Sequence, residues 1–326
     1  MPAKLNDRKV AIIGCGFVGS TCAFALMESG VFSEMVLLDV NTDRAEGEAL
    51  DISHGLAFAS PMDIYAGNYD DIADAGVIIV TAGANQKPGE SRIDLAARNV
   101  EIFRSIMSEI KKRKCGGILL IVANPVDILT YAAIKLSGIP EQRVIGSGTV
   151  LDTGRLKQIL SERLMVDPRN VHVRILGEHG DSELIAWSSA HVAGIPLEDF
   201  FNMRLDGSYE SFREDVSDLV RNSAYEIINK KNATYYGIAM AVTRICETIA
   251  RDEKSVLSVS NIMQGEYGIT DVALSTPCIV GKEGIEVRMP PSLNFLEQSQ
   301  LKSSAEQLKA VIEELDIDKD PAQSKD

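Results

Sequence analysis

The sequence predicts an α/β protein in two parts: a doubly wound parallel sheet in the first half, then an α+β domain. Three features predict it. Short aliphatic runs alternate with longer amphipathic stretches through residues 1–148. A glycine-rich turn joins the first run to the first amphipathic stretch. From residue 149 the alternation gives way to long helical stretches and runs suited to antiparallel strands.

Residues 10–13, 35–38, 77–80 and 118–122 are short and aliphatic on both faces, which is the pattern of buried parallel strands. Helical stretches lie between them at Phe17–Ser29, 44–58 and Arg92–Arg113. Strand-helix repetition of this kind gives right-handed crossovers with helices on both faces of the sheet. In the second half, residues 153–164, Tyr209–Lys231 and 236–251 read as helices. Strands are expected near 171–176, 255–263 and 272–280, with a last helix over 293–315. The boundaries read as 1–148 and 149–316, without a Pro/Gly/Ser-rich linker. Residues 317–326 form a polar tail expected to fray.

The chain has 326 residues, enough for two domains of roughly 150. Its 33 basic and 47 acidic residues give a net charge of -14. That balance disfavours nucleic acid and anionic membrane surfaces as partners, since both draw on clustered Lys and Arg. Cys15, Cys22, Cys115, Cys246 and Cys278 are scattered and form no Cys-x-x-Cys pair, so neither a disulfide framework nor a metal site is expected. The polar N-terminus lacks a signal-like stretch, and no run of 18 apolar residues occurs. A cytoplasmic protein is expected.

Gly14-Cys-Gly16-Phe-Val-Gly19 follows the first strand and opens the first helix. Gly14 suits a tight turn, Gly16 lets the backbone approach a pyrophosphate, and Gly19 lets helix and strand pack closely. The helix N-terminus at Phe17 and Val18 offers free N–H groups to phosphates. Asp39 ends the second strand, 20 residues beyond Gly19. A carboxylate there accepts from ribose hydroxyls and repels a 2′-phosphate, favouring NAD over NADP. This combination predicts a dinucleotide site of the Rossmann type.

Four further segments carry polar residues that packing does not explain. His179 stands between glycines in Leu176-Gly-Glu-His-Gly-Asp-Ser182. Reducing a ketone takes a proton as well as a hydride, and imidazole titrates nearest neutral pH. Asp152 and Arg155, three residues apart, share one face of a helix. The carboxylate can orient the histidine, and the guanidinium can grip a substrate carboxylate through two hydrogen bonds. Taken alone the two could be an ordinary surface ion pair. The segment from Gly83 to Arg92, with Gln86, Pro88 and Gly89 inside it, suits a closing loop that brings Arg92 onto a ketone oxygen. Asn124, before Pro125 at the end of the next strand, can donate a hydrogen bond.

Together these segments resemble the lactate/malate dehydrogenase family, and within it most closely the bacterial L-lactate dehydrogenases, over nearly the whole chain. The resemblance rests on the glycine turn with Asp39, the Gln86–Arg92 loop, Asn124-Pro-Val-Asp127, Leu151-Asp-Thr-Gly-Arg155 and Gly177-Glu-His-Gly-Asp181. It implies that His179 exchanges a proton with substrate and that Asp152 is its partner. It implies that Arg155 binds the substrate carboxylate, while Arg92 and Asn124 act at the carbonyl oxygen. Thr234 would line the pocket, Ile238 would pack on the nicotinamide, and Gly83, Ala84 and Asn124 would lie along the cofactor. Gln86 stands where malate dehydrogenases carry an arginine for a second carboxylate. An uncharged side chain would leave that carboxylate buried without a partner, so pyruvate and L-lactate are the expected substrates.

Lys157 and His172 match positions that bind fructose 1,6-bisphosphate between subunits in bacterial relatives. Lysine keeps the charge but loses arginine's bidentate fork. A homotetramer is implied by the resemblance alone. The readings left open are a malate or broader 2-hydroxyacid dehydrogenase, and a non-catalytic NAD-binding sensor.

Overall fold

The computed structural model describes residues 4–84, 89 and 91–317, with Arg92 described through its backbone only. The first half contains strands β1 (Asn6–Ile13), β2 (Glu34–Leu38), β3 (Asp63–Ala66), β4 (Ala75–Val80), β5 (Ile118–Ile121) and β6 (Val144–Gly146). They alternate with helices α1 (Phe17–Ser29), α2 (Thr42–His54), α3 (Arg92–Arg113) and α4 (Val126–Ser137). Helix α5 (Val150–Leu164) opens the second half. Four two-residue strands follow: β7 (Val171–His172), β8 (Ile175–Leu176), β9 (Leu184–Ile185) and β10 (His191–Val192). Beyond them lie β11 (Ile195–Pro196), α6 (Leu197–Arg204), α7 (Tyr209–Lys231) and α8 (Tyr236–Ala250). Strands β12 (Ser255–Gln264), β13 (Thr270–Gly281) and β14 (Gly284–Arg288) and helix α9 (Phe295–Glu314) complete the described chain.

One nine-stranded sheet runs through both halves in the order β14-β13-β12-β6-β5-β4-β1-β2-β3. Strands β1 to β6 are parallel, and β12 to β14 continue the sheet antiparallel. The expected strands of the second half therefore extend the first sheet rather than form one of their own. The free edge of β6 would otherwise present unpaired backbone groups. Strand β12 covers it, with Ser260 opposite Gly146. The stretch expected as strands near 171–176 divides between two small sheets, one formed by β7, β10 and β11, the other by β8 and β9.

Alternate residues of β1 go to opposite faces, as the pleat requires. Ala11 and Ile13 join a core with Phe103 and Met107 of α3 and Leu301 of α9. Val10 and Ile12 join a second core with Leu26 of α1 and Val242 of α8. A third cluster packs α5 and α7 around Leu156, Leu160, Val216 and Val220. Helix α4 was not expected from the pattern, because residues all round it are buried, including Asp127, Thr130 and Ser137. Without a polar face there is no 3.6-residue alternation to read.

The helix expected over 44–58 starts earlier, because the Asn41 side chain caps it by accepting from Arg44 N. It also ends earlier, at His54, with a 3₁₀ turn over Gly55–Phe58. The tail expected to fray from 317 begins with a docked residue. Ile317 is 1% exposed, and Arg104 donates to the carbonyls of Asp316 and Ile317.

Phe103 is wholly enclosed between α3 and the sheet. Phe103→Ala is expected to cost about 3–5 kcal/mol, read as a lower urea midpoint with an unchanged slope.

Candidate active site

The carboxyl ends of β1, β2, β4 and β5 form a continuous rim. Gly14 N donates to Leu38 O at 2.7 Å, and Ala82 N donates to Ile13 O at 2.9 Å. Val122 N donates to Val80 O at 2.9 Å. The crossovers after β1 and β4 leave in opposite directions along the sheet, which opens a crevice at that point.

Two glycines are demanded by contact. A Cβ on Gly14, whose φ is +105°, would stand 2.5 Å from Ala82 N, and one on Gly19 would stand 1.8 Å from Gly14 O. Above Gly16 there is open space, with nothing within 4 Å of a Cβ. Helix α1 starts there with no capping side chain and no acidic residue in its first turn, so its positive end and the N–H groups of Phe17 and Val18 face the opening. Asp39 accepts from Cys15 N at 2.6 Å and from Asn41 N at 2.9 Å. These bonds hold the carboxylate at the rim, with lone pairs to spare for hydroxyl donors. The cradle fits a dinucleotide.

Asn99 ties the next two loops together. It is 1% exposed; its Oδ1 accepts from Ala84 N at 2.7 Å, and its Nδ2 donates to Asn124 O at 2.7 Å. Gly83, Ala84 and Asn124 thus sit side by side along the crevice, and Asn124 is exposed to it.

The second cluster lies on α5 and the loop after β8. Arg155 Nη1 donates to Asp152 Oδ1 at 2.6 Å, and His179 Nδ1 lies 2.5 Å from Asp152 Oδ2. Asp152 is almost fully enclosed, while a quarter of the His179 side chain is open. The His179 N–H donates to Asp127 Oδ2 at 2.7 Å, and Ser260 Oγ donates to Asp127 Oδ1 at 2.5 Å.

Burial by itself would push the His179 imidazolium down. The attraction and hydrogen bond of Asp152, with a smaller contribution from Asp127, outweigh burial and the repulsion of Arg155, raising its pKa to about 9. Asp152 moves the other way: burial is overcome by His179 and Arg155, and its carboxyl stays below the usual range. With Nδ1 held by Asp152, the exchangeable proton of His179 is on Nε2. The remaining donors of Arg155 have no partner among the described residues.

Residues 8–146 match the family model described as lactate/malate dehydrogenase, NAD binding domain. Residues 149–316 match the alpha/beta C-terminal domain of the same family. The chain belongs to the lactate/malate dehydrogenase family. Its first half is the family's NAD-binding domain. The L-lactate dehydrogenase of Acetivibrio thermocellus is 51% identical over 310 residues, covering 95% of this chain and 98% of the relative. That of Thermoanaerobacter pseudethanolicus is 52% identical over 309 residues, covering 95% and 99%. Among solved structures, MGS-M5, a lactate dehydrogenase from a Medee basin deep-sea metagenome library, superposes with a TM-score of 0.92. It is 45% identical, over 95% of this chain and 99% of that one. The ligand-bound minor L-lactate dehydrogenase of Enterococcus mundtii gives 0.91 at 44% identity, over 94% and 98%.

The remaining expected residues fall in three places. Gln86 lies outside the described residues, as does the side chain of Arg92, whose backbone starts α3. Thr234 and Ile238 flank Tyr235, which stacks on Phe17 at the start of α1 at 5.5 Å, and α8 packs on α1. Lys157 and His172 are far along the chain from the glycine turn but share one surface with Arg174 and His191. His172 and His191 pair across β7 and β10 with their rings stacked at 4.9 Å. Burial, then His191, Lys157 and Arg174, push the His172 pKa down; burial and Arg174 lower that of Lys157.

Sequence reasoning passed over three residues that order the site: Asn99, Asp127 and Ser260. Asp127 lay inside a motif read for its asparagine. Asn99 had a usable signal, since it falls on the stripe of Ala96, Val100 and Phe103, where a polar side chain needs a partner. Ser260 had none, because serine in a strand is common and its partner is 133 residues away.

Asp152→Asn removes the charge that holds up His179. The imidazole is then expected to titrate at its ordinary ~6.5 or below, against about 9 in the parent, by NMR of the ring nitrogens. An unmoved titration would mean that Asp152 does not govern His179.

Proposed function

We propose that this chain is an L-lactate dehydrogenase that interconverts pyruvate and L-lactate with NAD. One observation carries the reading: an imidazole locked at Nδ1 by an enclosed carboxylate, with a guanidinium one helical turn away, beside a dinucleotide crevice. Relatives about half identical over nearly the full chain carry the same name.

In this reading residues 1–148 form the NAD-binding domain, which also lends Gln86, Arg92 and Asn124 to the substrate, and residues 149–316 form the catalytic domain, with His179, Asp152 and Arg155. Gly14, Gly16, Phe17, Val18 and Gly19 cradle the pyrophosphate, and Asp39 receives the ribose hydroxyls. Gly83, Ala84, Asn124 and Ile238 line the crevice towards the nicotinamide. Bound NADH supplies the hydride. Arg155 orients pyruvate through its carboxylate with the donors that Asp152 leaves free. His179 delivers a proton from Nε2 to the carbonyl oxygen, and Asp152 stabilises the imidazolium until then. Arg92 and Asn124 donate to that oxygen, and Thr234 and Gln86 bound the methyl end. The reverse reaction uses neutral His179 as base. Pyruvate reduction in fermentation is the physiological direction we propose.

Regulation by fructose 1,6-bisphosphate belongs to the same reading. Lys157 and Arg174 crowd like charges together next to His172 and His191, and neither Lys157 nor His172 has an ion-pair partner among the described residues. A phosphate would relieve that crowding. We propose a homotetramer, supported by exposed Phe17 and Phe24 on α1 beside exposed Tyr236 and Met240 on α8. Among the described residues no helix is long and apolar enough to cross a membrane. All five cysteines are free and buried, which suits the reducing cytoplasm.

With NADH, pyruvate is expected to outpace oxaloacetate by orders of magnitude, and fructose 1,6-bisphosphate to lower the apparent KM for pyruvate. Preference for oxaloacetate would overturn the substrate assignment. A response to the effector that persists in the Lys157→Ala, His172→Ala double variant would overturn the regulatory site. Since reduction needs the imidazolium, kcat/KM for pyruvate should hold through neutral pH and fall above about 9, while lactate oxidation rises towards it.

A further inference from the structure

We propose that Asp127 is a positioning residue for proton transfer at His179, gripping the histidine's main chain and supplying a second negative charge to its ring. The inference rests on the reading of His179 as the proton donor and acceptor. It concerns a carboxylate that is 2% exposed and reaches neither the crevice nor solvent.

Asp127 stands in the first turn of α4, where the helix's positive end favours a carboxylate. It joins three elements that are distant in sequence: α4, the loop carrying His179, and β12 through Ser260. A buried carboxylate stays ionised only with good partners. Here both direct donors are neutral, a main-chain N–H and a hydroxyl. The opposite charge nearest in effect is His179, and the attraction is mutual: Asp127 raises the imidazole while His179 lowers the carboxyl. Burial still leaves Asp127 at about 6, so it is ionised over the range in which His179 titrates, up to about 9.

The surrounding charges define what it adds. From α5, Asp152 raises His179 and Arg155 opposes it. From the histidine's own loop, Glu178 pushes Asp127 up. Glu183 in that loop, raised by burial and then by Asp152 to about 7, also senses Arg221 from α7. Asp127, Asp152, Arg155 and protonated His179 sum to zero charge. Without Asp127 the proton-donating state would leave a net positive charge enclosed beside Arg155. Asp152 alone fixes the ring, so Asp127 acts on the loop's backbone and on the charge balance.

Asp127→Asn in the full chain tests this. The amide can accept from His179 N–H through Oδ1 and donate to Ser260 Oγ through Nδ2, so both contacts persist while the charge goes. The high-pH limb of kcat/KM for pyruvate should move from about 9 towards about 8. The kcat at neutral pH should fall several-fold, and NADH affinity by fluorescence should stay unchanged. If the variant folds and binds NADH but its limb stays in place, Asp127 is merely structural and the proposal is overturned, even with lowered stability. If the variant does not fold, Ser260→Ala decides. It removes a hydrogen bond that lowers the Asp127 carboxyl, so the loss of kcat on protonating Asp127, at about 6 in the parent, is expected to move to higher pH; an unmoved acid limb overturns the proposal. A parent enzyme with no such limb, or a His179→Asn variant of full activity, would instead overturn the underlying reading of His179.

Discussion

Asp152 is a carboxylate with almost no access to water, and it can stay ionised there only if cationic donors meet both oxygens. Arg155 meets one and His179 the other. Arg155 comes from the next turn of the same helix, which costs the fold nothing in long-range order. His179 comes from a loop 27 residues on and has to be brought in. The start of α5 is therefore stitched to the strands beneath that loop. Thr149 Oγ1 donates to Ile175 O at 2.5 Å, Thr149 N donates to Ser275 Oγ at 3.1 Å, and Ile175 N donates to Thr153 Oγ1 at 3.0 Å. These bonds carry the histidine loop to the carboxylate.

The same economy joins the two halves. Because β12 to β14 extend the parallel sheet, the rim that cradles the dinucleotide and the strand bonded to the start of the histidine loop at Gly177 belong to one continuous sheet. Side chains reinforce the seam from within it. Asn99 clamps the loops after β4 and β5, and Asp127 links α4 to β12 and to the loop carrying His179. A proton donor and a hydride donor must meet the same substrate carbon and oxygen at short range, and small misplacements cost much of the rate. A shared sheet with polar pins at its edge is a direct way to hold that register.

Charge is distributed against the average of the chain. The net charge is -14, yet in the site Arg155 and a histidine held protonated through neutral pH balance Asp152 and Asp127. Lys157 and Arg174 form a second basic group, beside the stacked rings of His172 and His191. On an acidic surface a local basic cluster draws small anions to that point.

The sequence alone determined what local pattern can carry. The glycine turn lies between a strand and a helix, as its contacts require; Asp39 ends the second strand; and Asp152 and Arg155 share one helical face because three-residue spacing dictates it. The tertiary structure decided what depends on residues far apart. Helix α4 had no periodicity to read because it is buried all round, and the strands after residue 255 could have formed a separate sheet until the free edge of β6 claimed them. That Asp152 faces His179, that Asp127 holds the same histidine from behind, and that His172 stacks on His191 are long-range pairings. Spacing along a chain fixes which side chains share an element, but only packing fixes which elements meet, because their burial is shared among many residues rather than written in any one.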